Sequence, residues 1–497
     1  MKSNAKSNLI IIGILFALLP IITTNLSYIM DKGNKSWDTI DDFTLDMDNL
    51  KISKISGKIH IDNNWTATKS AGICTGNGTY SEPYVIKDLE INGGDSGSCI
   101  LIENSDVYFK IENCTLNAGD SHPNAGIRLN NVTKGVLVIN NCSFSYIGIY
   151  LSHCDNISIS GNIANHNHFG IYLSVCNDIN ISGNTATNNY NGMNLSYCDN
   201  AVLSGNIMNK CGLTISGVIE QLKSHNIDVT NLVNGKPLYY YNNEKNLGPD
   251  DFLDAGQVLL VNCNDSLISN LNISFSNIAI SLYYCYNNII SGNAADNNHY
   301  GIYLSLCENS FILGNTASDN NYGICLHDCY NNTISGNTAS NNNYWGIYLA
   351  LCYDNILSGN TANNNSRGIF STVSSNNIIS GNTANDNSFY GIELYFSDYN
   401  TVSGNTANNN SFYGIYLFRS RSNTISGNIL IGNNECIYEE NCIGNTFSDN
   451  GDCMYGQGSS GVPIELIILV SVISGGAVIG VVVLLLIRRT RKIVTII

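Results

Sequence analysis

The sequence predicts an all-β protein: a single-chain right-handed parallel β-helix, a solenoid of 22–23 residues per coil, with an N-terminal signal segment and a C-terminal transmembrane helix. Three observations predict it. A Gly-Asn dipeptide returns at a nearly fixed interval, the apolar residues between those dipeptides alternate at the period of a strand, and a long uncharged apolar run stands close to the C-terminus.

Composition narrows the field first. Of 497 residues 79 are Asn and 45 Gly, with only 6 Pro, 12% charged and 43% hydrophobic. Asn and Gly are poor helix-interior residues, which argues against a helical bundle. The apolar fraction is high and regularly spaced, which argues against disorder. At a net charge of −16 no nucleic-acid partner is expected, because phosphate contacts need clustered Lys and Arg.

The elements follow in chain order. Lys2 and Lys6 precede an apolar run at 9–22, the two parts of an export signal, and 1–30 is assigned as signal peptide or signal anchor. Residues 31–83 are a lead-in and cap, and 84–450 the β-helix, with an irregular insert near 231–262. A flexible linker at 451–463 leads into a transmembrane helix at 464–487, whose uncharged core 466–487 is long enough to cross a ~30 Å hydrocarbon layer. The tail 488–497 holds Arg488, Arg489, Arg491 and Lys492, and this basic cluster places the tail in the cytoplasm and the body outside the cell. N-x-S/T triplets, as at Asn113, Asn264 and Asn331, fit an exported glycoprotein.

The repeat defines the coil. Gly-Asn begins at Gly161, Gly183, Gly205, Gly292, Gly314, Gly336, Gly359, Gly381, Gly404 and Gly427, at intervals of 22 or 23 except for 87 after Gly205. Because 87 is one short of four periods of 22, the period is expected to run through the insert. Ile302 and Leu304 flank Tyr303 as alternate residues of a strand do, and no segment leaves room for a helix. Stacked coils set each residue over its counterpart one period away. Ile302, Ile324, Ile347 and Ile369 then form an inner aliphatic ladder, and Asn162, Asn184, Asn293, Asn315 and Asn337 an amide ladder in which each side chain donates to one neighbour and accepts from the other.

Most cysteines keep the same register. Cys154, Cys176 and Cys198, then Cys263, Cys285, Cys307, Cys329 and Cys352, occupy one file, which continues as Ser374, Ser397 and Ser420. A small core-filling position is the first reading; disulfides between coils and a soft-metal ladder are the alternatives. Cys74 with Cys99, and two of Cys436, Cys442 and Cys453, are candidate staples for the two ends.

Candidate functional residues lie between the inward ones. Tyr150, Tyr172, Tyr303, Tyr348, Phe370 and Tyr416 are expected to form an outward aromatic stripe on one flat sheet, suited to sugar faces, or alternatively stacked ring on ring to stabilise the sheet. His153, His166 and His168 sit within about one coil and are weak candidates for metal, and His299 recurs in the file of His168 but is expected six periods away. Acidic residues such as Asp155, Asp199, Glu308, Glu393 and Asp398 are scattered singly, without the paired carboxylates that glycoside hydrolysis uses.

The coil G-I-Y-L-S-x-C-x-x-N-x-I-S-G-N-T-A resembles the right-handed parallel β-helix repeat family, the carbohydrate-binding and sugar-hydrolase repeats. The segment N-G-K-P-L-Y-Y-Y at 234–241, followed by D-A-G-Q-V-L-L-V-N-C at 254–263, resembles NosD-type periplasmic copper-handling β-helices and their archaeal surface relatives. G-N-G-T-Y-S-E-P-Y-V-I at 76–86 is similar to the entry segment of those surface proteins, which implies a first coil starting near Tyr84. The expectation is a membrane-anchored extracellular rod, non-catalytic and without a cofactor, acting in surface structure, adhesion or glycan binding. Its partners are then the membrane, through the C-terminal helix, and glycans or other surface proteins. A polysaccharide lyase or hydrolase is the alternative, and NosD-like copper handling the second alternative.

Overall fold

A computed structural model gives residues 54–94 and 96–451 in full and the backbone of 455–458. The signal segment 1–30, the transmembrane helix 464–487, the tail 488–497 and Cys453 lie outside the described residues. Among the described residues, no helix is long and apolar enough to cross a membrane.

The body is a parallel β-helix of about 17 turns. One coil runs through a six-residue strand, Tyr300–Ser305, a three-residue strand, Phe311–Leu313, and a single bridging residue, Thr316. The next coil repeats it at Tyr322–His327, Thr333–Ser335 and Thr338, parallel and in register, so that Ile302 pairs with Ile324, Ile312 with Ile334 and Thr316 with Thr338. Gly314 turns one corner at φ +59°, a left-handed conformation that costs glycine little. Gly323 is needed for another reason: a Cβ there would stand 2.5 Å from the Gly346 carbonyl oxygen of the next coil.

The inner ladder is as dry as the spacing predicts. Ile302, Ile324, Ile347, Ile369, Ile392 and Ile415 are all fully buried. No coil can bury this face alone, so the ends need covers. At the N-terminal end the stack already begins ahead of Tyr84, with Lys54–Ile55 pairing with Leu89–Asn92 and Ile59–Asp62 with Ile100–Ser105. The short helix Trp65–Ser70 then sets Trp65 against Tyr84, ring centres 4.9 Å apart, and Trp65 Nε1 donates to Ser105 Oγ at 2.7 Å.

The period does not run straight through the insert. Seven long strands, from Ile59–Asp62 to Leu213–Ser216, form one sheet, and those after the insert belong to a separate 14-stranded sheet. That second sheet starts on a different face of the first half, at Thr185–Thr187, Ile207–Asn209 and Leu232–Val233. It passes through an antiparallel pairing into Lys236–Asn242. The physical reason lies in the next strand, Gln257–Val261, which is buried on both sides. Val258 and Leu260 point into the core of the second half, whereas Leu259 and Val261, with Tyr240 and Tyr283, join the core of the first. The outer face of the second half therefore covers the open end of the first, where Leu213 and Ile215 would otherwise meet water. Gln257 joins the two, Nε2 donating to Leu213 O at 2.7 Å and Oε1 accepting from Leu213 N at 2.9 Å.

Candidate functional site: the outward face of the long sheet

Beyond the joint, the six-residue strands turn three files of side chains outward. One passes through Tyr322, Trp345, Arg367, Tyr390 and Tyr413; the next through Tyr348, Phe370, Glu393, Tyr416 and Tyr438; the third through Thr372, Tyr395, Phe418 and Glu440. The six rings expected as one stripe are split between two sheets. Tyr150 and Tyr172 are stacked neighbours at 5.2 Å on the seven-stranded sheet, where their file ends in Asn194 and Thr214. Tyr303, Tyr348, Phe370 and Tyr416 share a file on the 14-stranded sheet, interrupted by Cys325 and Glu393. Tyr303 packs against the core of the first half and so belongs to the joint. The insert that changes the sheet is what divides the stripe.

The rings spend their faces on one another. Tyr390 and Tyr413 are 5.5 Å apart and inclined by 2°, Tyr413 and Tyr438 4.7 Å and 8°, Tyr395 and Phe418 4.8 Å and 13°. Each such pair adds ~0.5–1.5 kcal/mol beyond its burial. What these stacks offer outward is ring edge and phenol hydroxyl.

In the middle of this face lies an ion pair that the scattered acids of the sequence did not announce. Arg367 Nε stands 2.5 Å from Glu393 Oε2, with the two side chains 30% and 4% exposed. The guanidinium lies over Phe370 at 5.3 Å, Phe389 at 5.6 Å and Tyr390 at 5.7 Å. Burial raises the Glu393 pKa and the Arg367 charge opposes the rise. Nearby, the Tyr416 hydroxyl donates to Glu440 Oε2 at 2.9 Å.

Buried polarity elsewhere is absorbed by ladders. Asn315 Nδ2 donates to Asn337 Oδ1 at 2.9 Å and to Ile290 O at 2.8 Å, and Asn162 reaches Asn184 in the same way at 2.9 Å. Two further ladders stand at the other corners: Asn332 to Asn355 and Asn355 to Asn377, both 3.0 Å, and Asn387 to Asn410, 2.9 Å. Their signal was present, since Asn332, Asn355 and Asn377 are 23 and 22 apart in the chain.

The family model described as "Periplasmic copper-binding protein (NosD)" matches residues 109–247, 229–387 and 343–451. The chain belongs to the NosD family. No curated protein matches it. Among solved structures, the NosD-family chain is similar to the periplasmic alginate epimerase AlgG, at 14% identity over 76% of this chain and 85% of that one, TM-score 0.35. The A-module of Azotobacter vinelandii mannuronan C-5 epimerase AlgE4 gives 13% over 81% and 93%, TM-score 0.24. The catalytic unit of the GH87 alpha-1,3-glucanase from Streptomyces thermodiastaticus strain HF3-3 gives 13% over 76% and 61%, TM-score 0.21. At these values the likeness carries no functional argument.

Copper would need soft or imidazole donors brought together. Among the described residues of this NosD-family chain, no group of three or more His, Cys, Asp or Glu side chains could hold a metal ion. His153 is exposed and bonds Ser152 Oγ at 3.0 Å; His166 stacks on Phe144 at 5.0 Å; His168 lies between Tyr146 at 4.9 Å and Tyr190 at 4.5 Å. His299 is nearer to His168 than its sequence distance implied, with only the Tyr190 ring between them.

The thiols are no better suited. Cys285 Sγ donates to Tyr283 O at 3.3 Å and accepts Cys263 N–H at 3.4 Å. Burial pushes the Cys263 thiol up to about 12, whereas a hydrogen bond with Cys176 brings the Cys154 thiol down. Where serine takes over, Ser374 Oγ accepts Cys352 N–H at 2.9 Å and donates to Thr372 O at 2.8 Å. The file selects a small donor-acceptor, a stricter demand than small size. Cys74 and Cys99 are free thiols rather than a staple; Cys442 is free and follows Ser420 in the same file; Cys436 is disulfide-bonded. The described residues do not fit a copper centre.

Proposed function

We propose that this chain is a membrane-anchored extracellular β-helix that acts without catalysis, as a surface structural element whose long-sheet face contacts glycans. The observation that carries the reading is the face built of ring stacks, Tyr390–Tyr413–Tyr438 above all, which turns edges and phenol hydroxyls outward. Such hydroxyls both donate and accept, as sugar hydroxyls do, and rigid stacking keeps them in place. Glu393, the carboxylate nearest the centre of the face, is buried and held by Arg367, which leaves it unsuited to proton transfer to a polymer. Anchoring rests on the uncharged run at 466–487 and the basic residues after it.

A glycan array probed with the full chain tests the reading. Binding is expected, and Tyr413→Phe with Tyr438→Phe, which keeps the stacks and removes two hydroxyls, is expected to weaken it about tenfold, or ~1.4 kcal/mol. An array without hits removes the glycan contact. New reducing ends or unsaturated products after incubation with polysaccharides would overturn the non-catalytic assignment.

A further inference from the structure

The nine-stranded sheet of short strands presents a different surface. Ile289, Phe311, Ile356 and Ile378 point outward in one file and are 40%, 41%, 40% and 42% exposed, with Thr333 filling the rung between Phe311 and Ile356. Beside it runs a file of small residues, Ser335, Ser358, Ser380, Ser403 and Ser426. No outward position in these nine strands is charged, in a chain of net charge −16. Single exposed apolar residues are ordinary; four in one file are not.

We propose that this face is a lateral contact between two copies of this chain. Charge selects that partner first: the outward positions of these strands are uncharged, so two copies can meet along them without desolvating a carboxylate within the strip, Asp265 and Asp354 lying in the turns before the strands Leu267–Ser269 and Ile356–Ser358. The repeat selects it second. A partner must match side chains spaced ~4.8 Å apart over about 38 Å, and a second copy carries that spacing by construction. The exposed Asp265 and Asp354 beside the file disfavour an anionic lipid surface instead. A strip two residues wide stays below the ~800 Å² per partner of a standard stable interface, so the contact is weak and forms where copies are concentrated. It does not depend on the glycan reading.

Sedimentation of the full chain in detergent, from about 1 to 200 µM, tests it. The wild type is expected to pass from monomer to dimer across that range. Ile356→Asp with Ile378→Asp is expected to raise the dissociation constant about tenfold or more, with an unchanged far-ultraviolet spectrum and melting curve. Phe311→Ser, which adds no charge, is expected to act in the same direction and covers the case in which the aspartates disturb the fold. A wild type that stays monomeric, or variants that associate equally well, would overturn the proposal. So would wild-type binding to vesicles of neutral phospholipid that the aspartates abolish, since the file would then be a lipid strip.

Discussion

Tyr190 and His299, 109 positions apart in the chain, meet at the joint between the two halves, with the Tyr190 hydroxyl 2.7 Å from His299 Nε2 and the rings 4.5 Å apart. Asn321 Nδ2 donates to His299 Nδ1 at 2.7 Å, which requires an unprotonated nitrogen there. Burial brings the His299 pKa down to about 4, helped by His168, whose own pKa burial lowers against the opposing charge of Asp120. His225, before the short strand Asn226–Ile227 of the first half, accepts Ala201 N–H at 3.3 Å and is likewise brought down to about 4 by burial, against Asp199.

The joint is therefore expected to loosen in acid. A histidine whose folded pKa lies below its unfolded value near 6.5 is protonated more readily once its surroundings open, so its contribution is intact above about pH 6.5 and lost as pH falls towards 4. For His225, only 4% exposed, the full effect is about 3 kcal/mol. Hydrogen exchange followed from about pH 7 to pH 4.5, corrected for intrinsic rates, should open peptides around Leu213 and Gln257 before those around Ile369. His299→Phe should flatten part of that response. Uniform protection over the whole pH range would sink the idea.

Asn360 sits mid-ladder: its Oδ1 accepts from Asn337 N at 3.0 Å and Asn337 Nδ2 at 2.9 Å, and its Nδ2 donates to Asn382 Oδ1 at 2.9 Å and Ile334 O at 2.8 Å. Asn360→Ala strands two buried donors and a carbonyl, at a cost of about 3 kcal/mol. Asn360→Asp keeps the acceptor but sets a carboxylate against two acceptors, so at neutral pH it should cost more than alanine, and the gap should narrow as acid protonates it. Because a solenoid opens locally, the reading is exchange protection in the coils next to 360 rather than one global melting temperature.

The coil was legible because a side chain that must repeat above itself leaves a linear period. Ile302 over Ile324, Asn315 over Asn337 and Cys307 over Cys329 were all readable as spacings. The insert was not, since 87 residues give a near-multiple of the period whether the stack continues or, as happens, starts again on another face. Everything that depends on the joint was hidden with it: the split of the aromatic stripe, the burial of Tyr303, and the meeting of Tyr190 with His299. Arg367 and Glu393 escaped for a different reason. They stand in adjacent files on neighbouring coils, 26 residues apart, and a diagonal contact has no period of its own.

The pair formed by Arg367 and Glu393 should respond asymmetrically. Glu393→Ala leaves a guanidinium in an aromatic setting without its counter-charge, at a cost of about 3–5 kcal/mol. Replacing both, Arg367→Met with Glu393→Leu, should cost far less, because the charges and their desolvation leave together. Local exchange protection of Arg367–Thr372 and Tyr390–Tyr395 in the two variants makes the comparison. Equal loss in both would mean that packing alone, through Phe370 and Phe389, holds this face.

Cys329 offers a test of what the thiol file contributes. It is fully buried, its Sγ donates to His327 O at 3.4 Å, and it accepts Cys307 N–H at 3.5 Å. Cys329→Ser should be tolerated within about 1 kcal/mol, because Ser374, Ser397 and Ser420 make the same pair of bonds two to four coils further on. Cys329→Val fills similar space but orphans the Cys307 amide, so it should cost ~1–3 kcal/mol in local protection. Thiol labelling under native conditions should leave Cys307, Cys329 and Cys352 unmodified until denaturant opens the coil, and added copper should neither protect them nor raise stability. Stoichiometric copper uptake that disappears with Cys329→Ser would make the file a metal ladder.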